Sequence, residues 1–328
     1  PTGLTANITG PVLYLNTFVD APSNSCPTAG TTGNLPIMVT DATGFGLTRT
    51  TVTCQGSANV FNSTTLNITN SVNNNSYIEF SASTSGGKKL NITGLYFFRQ
   101  ASASAPNKLE VRYSTDNFAT STSWGAAPVT PTVGTGITWD FTDFTTPLNG
   151  TVKFRLYPYG TQRADGTAAA ASGTFRVDDV TIYGNVVYGP TAASIATTGT
   201  TPVCPGTASA ITATITGGTS PYTVVYSNGT SNTTVSNYQS GAAISVSPNA
   251  TSSYTLFSVT DANGFDLATT NLTGSAIVSV KELNTYYIDV DGDGYTNGTA
   301  TLCSATAPTG YSATSLGSDC NDNDSSVH

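Results

Sequence analysis

The feature that most limits the fold is an alternation of side chains with period two. In Lys108-Leu109-Glu110-Val111-Arg112-Tyr113, charged and apolar residues alternate without a break. Val152-Lys153-Phe154-Arg155-Leu156, Ile137-Thr138-Trp139-Asp140-Phe141 and Phe175-Arg176-Val177-Asp178 repeat the pattern. Successive strand residues face opposite sides of a sheet, so each segment predicts a strand with one face in a core and one in water. No segment of ten or more residues carries the 3.6 period of an amphipathic helix, and the one alanine cluster, residues 168–171, is short and flanked by glycine. The expected class is all-β.

The spacing of these strands divides the 328 residues into three sections. Residues 1–188 hold nearly all the Lys and Arg and both Trp, with strands recurring between turns as in a two-sheet sandwich. Residues 189–281 begin around Pro190 and carry strand patterns at 210–216, 222–226, 242–246, 254–259 and 276–280, the size of an immunoglobulin-like domain. Residues 282–328 are poor in apolar residues and rich in Asp, and cannot build a core unaided.

Charge excludes several functions. Only 9% of residues are charged, against about 25% in a typical globular protein. The net charge is -8, and a single basic residue, Lys281, follows Arg176. A nucleic-acid binder needs clustered cations to displace counterions, so that role is excluded, as is a basic membrane-surface helix. No apolar run approaches the length of a membrane-spanning helix, and no membrane insertion is expected. The surface is instead one of hydroxyls and amides, which suits an extracellular or cell-surface location.

Catalysis is not expected. The one histidine, His328, is the last residue, so no Ser–His–Asp or Cys–His set is available. Glu79, Glu110 and Glu282 lie in or beside strand patterns, and nothing pairs them as a glycosidase would require.

None of the five cysteines forms a C-x-x-C pair. In an exported protein Cys26 with Cys54 and Cys303 with Cys320 would close local loops, each bridge contributing roughly 3 kcal/mol. Cys204 is then left over as a buried thiol.

The clearest chemistry is in Tyr286-Tyr287-Ile288-Asp289-Val290-Asp291-Gly292-Asp293-Gly294-Tyr295. Asp289, Asp291 and Asp293 stand at alternate positions, the spacing with which a loop curled round a hard cation presents carboxylates, and Gly294 permits the sharp turn. The Tyr295 carbonyl is the next expected ligand. An EF-hand would need a Glu where Ala300 stands, so the loop is of another kind. Asp319, Asp322 and Asp324 in Asp319-Cys320-Asn321-Asp322-Asn323-Asp324 would complete the shell, held nearby by the Cys303–Cys320 bridge. Six carboxylates this close repel one another unless a divalent ion binds. Oxygen-only ligands favour Ca²⁺, with a structural role in place of the absent core.

This stretch, with Cys303, Gly310-Tyr311 and the second acidic cluster, resembles short calcium-binding repeats of secreted bacterial proteins, in the style of thrombospondin type 3 repeats. The resemblance implies Asp289, Asp291, Asp293, Asp319, Asp322 and Asp324 as calcium ligands. Val203-Cys204-Pro205-Gly206, Gly217-Gly218-Thr219-Ser220-Pro221-Tyr222, Tyr226-Ser227-Asn228-Gly229 and Val259-Thr260-Asp261-Ala262-Asn263-Gly264 resemble the immunoglobulin- or PKD-like repeats of Bacteroidota adhesins. Many such repeats bridge their first Cys to one after the final Asn-Gly; Phe265 stands there in this chain. Leu13-Tyr14-Leu15-Asn16-Thr17-Phe18, Phe61-Asn62-Ser63 and Gly173-Thr174-Phe175-Arg176-Val177-Asp178-Asp179-Val180 resemble the jelly-roll sandwiches of secreted Bacteroidota proteins, shaped like carbohydrate-binding modules. That resemblance makes Asp179 either a second calcium ligand or a strand-end cap.

Sugar enters in two ways. Asn-x-Ser/Thr sequons start at Asn7, Asn62, Asn67, Asn74, Asn91, Asn149, Asn228, Asn232, Asn249, Asn271 and Asn297, with a twelfth at Asn323 inside the acidic cluster. Glycans on some of these would solvate a surface poor in charge. Sugar binding would instead use exposed aromatics; Trp124, Trp139, Tyr157 and Tyr159 are the candidates, with Trp139 better read as core.

Together these features predict a jelly roll, an immunoglobulin-like sandwich and a calcium module in series. The expected function is that of a non-enzymatic structural or adhesive protein, self-associating as a glycosylated subunit of a bacterial surface fibre. Residues 4–9 are strand-like and would either add to a neighbour's sheet edge or serve as a linker. The alternative is a carbohydrate-binding accessory region of a secreted glycoside hydrolase, with a polysaccharide partner.

Overall fold

The computed structural model describes residues 10–125 and 129–328. The strand-like segment at residues 4–9 and the sequon at Asn7 lie outside the described residues. Among the described residues there is no α-helix, only one 3-10 turn at Thr269–Asn271, and the chain is all-β. It divides into two compact units, Pro1–Tyr188 and Gly189–His328.

The first unit is a sandwich of two antiparallel sheets. One runs in the order Thr135–Thr145, Lys88–Ala101, Phe175–Tyr188, Val12–Asn16, Ile37–Met38, with Thr53–Cys54 and Phe61–Thr64 attached beside it. The other runs Ala42–Thr50, Tyr77–Thr84, Thr151–Tyr159, Lys108–Ser114, Thr122–Ser123. From Tyr77–Thr84 onward, successive long strands cross from one sheet to the other, which is the winding of a jelly roll.

The alternation seen in the sequence sets which face is buried. Tyr77–Thr84 buries Ile78, Phe80, Ala82 and Thr84, one residue in two. Its partner strand buries Val152, Phe154 and Leu156, and Phe154 lies opposite Phe80 with the rings stacked at 5.5 Å. Leu90, Ile92, Leu95, Phe97, Val177, Val180 and Ile182 close the core from the facing sheet. Each large side chain removed from water contributes about 1.5–3 kcal/mol. The Cys26–Cys54 bridge forms in this unit.

The second unit opens with two four-stranded sheets. One is Ala243–Val246, Ser209–Gly217, Pro190–Thr197 and Leu272–Thr273; the other is Asn232–Tyr238, Tyr222–Ser227, Ser252–Thr260 and Ala276–Val278. The strand Asn232–Tyr238 gave no alternating signal because only Tyr238 of its seven residues is buried. Asp261, from the Val259–Gly264 motif, is buried and pins its loop: it accepts the N–H groups of Thr219, Asn263 and Phe265 at 2.9 Å each.

Residues 282–328 belong to this same unit. They form a three-stranded sheet ordered Thr299–Leu302, Asn284–Ile288, Tyr311–Ser312. Tyr286 is the only apolar side chain buried among them. The expected Cys303–Cys320 bridge is not made. Cys303 is joined to Cys204, and Cys320 is a free, exposed thiol. The reason is register: Val203 pairs with Val280, and Lys281 N–H donates to the Val203 carbonyl at 2.8 Å, which carries Cys204 to the base of the following sheet. Sequence proximity favoured Cys320, but strand pairing brought a cysteine from 99 residues away.

Candidate metal centre

The strand Asn284–Ile288 runs straight into Asp289, and the chain then curls through a series of side-chain-to-backbone contacts. Asp289 Oδ1 accepts Gly292 N–H at 2.8 Å, Asp291 Oδ1 accepts Asp293 N–H at 3.3 Å, and Asp293 Oδ1 accepts Tyr295 N–H at 2.8 Å. Each Asp therefore spends one oxygen on shaping the loop and keeps the other. Gly292 and Gly294 take φ of +78° and +93°, values that side-chain-bearing residues adopt only with strain.

The second acidic segment arrives by backbone pairing, the part assigned above to a disulfide. Thr296 N–H donates to Gly317 C=O and Asp319 N–H to Thr296 C=O, both at 3.0 Å, while Leu316 N–H donates to Gly294 C=O at 2.9 Å. Thr296 itself is buried, its hydroxyl 2.6 Å from that of Ser315. Asp322 Oδ1 reaches back to accept Val290 N–H at 2.9 Å.

Two groups of three carboxylates result: Asp289, Asp291 and Asp293, and Asp291, Asp319 and Asp322. Within each group the ligand oxygens lie within 4.8 Å of one another, and Asp291 is common to both. Asp289, Asp319 and Asp322 are buried, at 8%, 8% and 7% exposure. Asp291 Oδ2 and Asp319 Oδ2 are buried and accept no hydrogen bond. Asp293 Oδ2 is buried beside the His328 imidazole, with Nδ1 at 3.4 Å. That imidazole stacks on Tyr295 at 4.3 Å.

Burial raises the Asp291 carboxyl above its ordinary value, and the charges of Asp293, Asp319 and Asp322 raise it further, against a lowering hydrogen bond from the Asp293 N–H. Partnerless buried carboxylate oxygens are costly. The groups could hold a metal ion, and an all-oxygen donor set fits a hard cation.

No protein-family model matches the chain, and no curated protein matches it. Among solved structures, it is similar to the glycoside hydrolase domain of Endo-D from Streptococcus pneumoniae R6, with TM-score 0.23 and 13% identity over 73% of this chain and 37% of that one. It is similar to a β-1,2-glucanase from Parabacteroides distasonis, with TM-score 0.21 and 11% identity over 84% of this chain and 40% of that one. The third is the adhesin domain of Epf from Streptococcus pyogenes, with TM-score 0.19 and 8% identity over 73% of this chain and 80% of that one. The chain thus spans about two fifths of the length of the two hydrolase structures. These similarities fall below those of a shared fold, and the functional reading rests on the chain's own residues.

Other expected site residues are placed as follows. Asp324 stands outside both acidic groups, exposed, with its Oδ1 taken by the Ser326 N–H and hydroxyl. Asp179 is exposed at a bulge of the strand Phe175–Tyr188, with φ +49° and its N–H on Asp178 Oδ1; among the described residues it joins no group of three acids. Of the sequons, Asn62 is only 3% exposed, which disfavours a glycan there, and its main-chain carbonyl accepts from Arg49 Nη2 at 2.8 Å. Asn67 and Asn91 are half-buried. Asn74, Asn149, Asn228, Asn232, Asn249, Asn271, Asn297 and Asn323 are exposed.

Trp139 is buried in the first core and Trp124 stacks on it at 5.4 Å. Tyr157 is buried beneath the Arg112 guanidinium, 5.1 Å from its ring. Glu79 is held by Arg155 at 2.7 Å and Lys153 at 3.2 Å, and Glu110 by Arg112 at 2.8 Å.

Sequence reading missed Asp178, half-buried on the outer face of its sheet, whose carboxyl is pushed up to about 6 by burial, against the Asp179 N–H and with the Asp179 charge adding to the rise. The signal was present as the Asp-Asp pair that breaks the alternation begun at Phe175.

Proposed function

We propose that this is a non-enzymatic extracellular structural or adhesive protein, a calcium-stabilised and glycosylated subunit of a bacterial surface fibre that associates with copies of itself. The observation that carries the reading is the pair of carboxylate groups sharing Asp291 in a segment that buries one apolar side chain. Two ions bridged by Asp291 would satisfy Asp291 Oδ2 and Asp319 Oδ2, and the binding free energy would replace the missing core. Calcium matches the ligand type and the mixture of side-chain and carbonyl oxygens such a loop offers.

Two disulfides support an oxidising, extracellular setting, and no helix among the described residues is long and apolar enough to cross a membrane. Exposed sequons at eight positions support glycosylation. A fibre subunit also fits the low charge, since copies carrying few charges pack without strong repulsion.

Calcium titration by calorimetry, with electron microscopy of the same samples, tests this. Heat of binding at about two ions per chain and regular filaments lost on adding a chelator are expected. An absence of binding heat would remove the calcium, and dispersed particles at all calcium levels would remove the fibre. Intact-mass measurement on native material checks the glycans.

A further inference from the structure

The outer face of the first sandwich sheet carries a set of groups that neither the core nor the metal centre uses. Strand register places them in rows. Gly136, Phe98 and Asp178 stand side by side, and in the next row come Thr138, Tyr96 and Thr181. In the third row Tyr183 lies opposite Gly94. Rows on one face repeat every two residues, so the strip is about 14 Å long.

The glycines fix how the rings lie. A Cβ on Gly136 would fall 2.6 Å from the Tyr96 ring, and one on Gly134 would fall on the ring of Phe98. The far ends of both rings therefore lie against bare glycine backbone at or just before the neighbouring strand, and both residues are half-exposed. The contrast with the facing sheet is sharp. There, Arg155 covers Tyr77 at 3.9 Å and Phe118 at 3.8 Å, and Arg112 covers Tyr157.

The strip also has its own polar groups. Tyr96 feels the charges of Asp178 and Asp179 and the phenol of Tyr183, which after burial are what hold its phenol above the ordinary value. Asp178 and Asp179 sit at the bulge between Asp178 and Thr181, which turns the second carboxylate outward. The Asp178 carboxyl, in turn, is half-buried and accepts the Asp179 N–H at 2.8 Å.

We propose that this face binds a neutral hexopyranose chain, with the sugar C–H faces stacked on Tyr96 and Phe98 and sugar hydroxyls donating to Asp178 and Asp179. Half-exposed aromatic rings beside carboxylates match a molecule that is apolar on its ring faces and rich in hydroxyl donors at its edge. The two carboxylates repel acidic polysaccharides, which restricts the class to uncharged ones. This site goes beyond the structural role proposed above and does not depend on the metal.

The test is calorimetric binding of the full chain to cellohexaose, laminarihexaose, mannohexaose and, for charge, hexagalacturonate, with and without a chelator. At least one neutral hexaose is expected to bind equally in both conditions. Tyr96→Ala and Phe98→Ala should each weaken it tenfold or more, while Phe45→Ala at an exposed position of the facing sheet leaves it unchanged. Asp178→Asn, which keeps shape and fold, should weaken it severalfold. Failure of all three neutral probes, preference for hexagalacturonate, indifference to Tyr96→Ala and Asp178→Asn, or loss of binding in chelator would each overturn the proposal. None of these results bears on calcium binding, which is read separately.

Discussion

Phe80 and Phe154 stack at 5.5 Å in the middle of the first sandwich, while residues 282–328 gather four carboxylates around Asp291 and bury Tyr286. The sandwich is held by apolar area removed from water. The acidic segment has almost none to remove, and its loops are shaped by carboxylate-to-backbone hydrogen bonds that leave oxygens without partners. The lesson is that one chain solves the same problem, the conformational entropy lost on ordering, in two currencies. One works in plain water; the other needs an ion.

Removing the ion should separate them most. In excess chelator the amides of Asn284–Ile288 and Thr296 should lose hydrogen-exchange protection, by about 100-fold if the ion had been present at about 100 times its Kd. Those of Tyr77–Thr84 should be unchanged. Equal loss in both regions would break the comparison. The converse is Phe80→Ala, expected to cost the sandwich about 3–5 kcal/mol by thermal or denaturant melting while calcium affinity stays as it was.

Next in size is Cys204→Ser. It releases a bridge spanning 99 residues, and the second unit should lose about 2–4 kcal/mol, most visibly in chelator. Cys320→Ser should do nothing to stability. Within the acidic segment, Asp291→Asn should weaken calcium binding about tenfold or more, about 1.4 kcal/mol, because it removes the ligand shared by both groups. Asp324→Asn should leave affinity unchanged; an equal loss would return Asp324 to the ligand set.

The smallest effect concerns pH. The Asp178 carboxyl is raised to about 6 in the folded chain, above about 3.9 when unfolded. A raised value means the protonated form is favoured by folding. Its contribution is fully present below about pH 4 and is lost as pH rises through 6. Asp178→Asn should therefore raise the melting temperature at pH 8 and not at pH 4, a gain in stability at the expense of the proposed sugar face. Asp116, lowered to about 2 by hydrogen bonds from Ser114 and Thr120, works the other way: its contribution holds above about pH 4 and fades as pH falls toward 2.

Much of this was legible in the residue order. Alternation at Lys108–Ser114, Thr151–Tyr159 and Phe175–Tyr188 determined strands and their buried faces, because a side chain's face in a strand depends only on its parity. The carboxylate spacing at Asp289, Asp291 and Asp293 determined a loop able to point three oxygens inward, since that geometry is local. The tertiary structure decided what depends on distant segments meeting. Strand pairing of Val203 with Val280 chose Cys204 over Cys320 as the partner of Cys303, and the Thr296–Ser318 bridge chose Asp319 and Asp322 over Asp324. It also buried Asn62 and brought the rings of Tyr96 and Phe98 against Gly136 and Gly134. Those are matters of register between strands far apart in sequence, where a shift of one residue exchanges every face, and no local pattern records it.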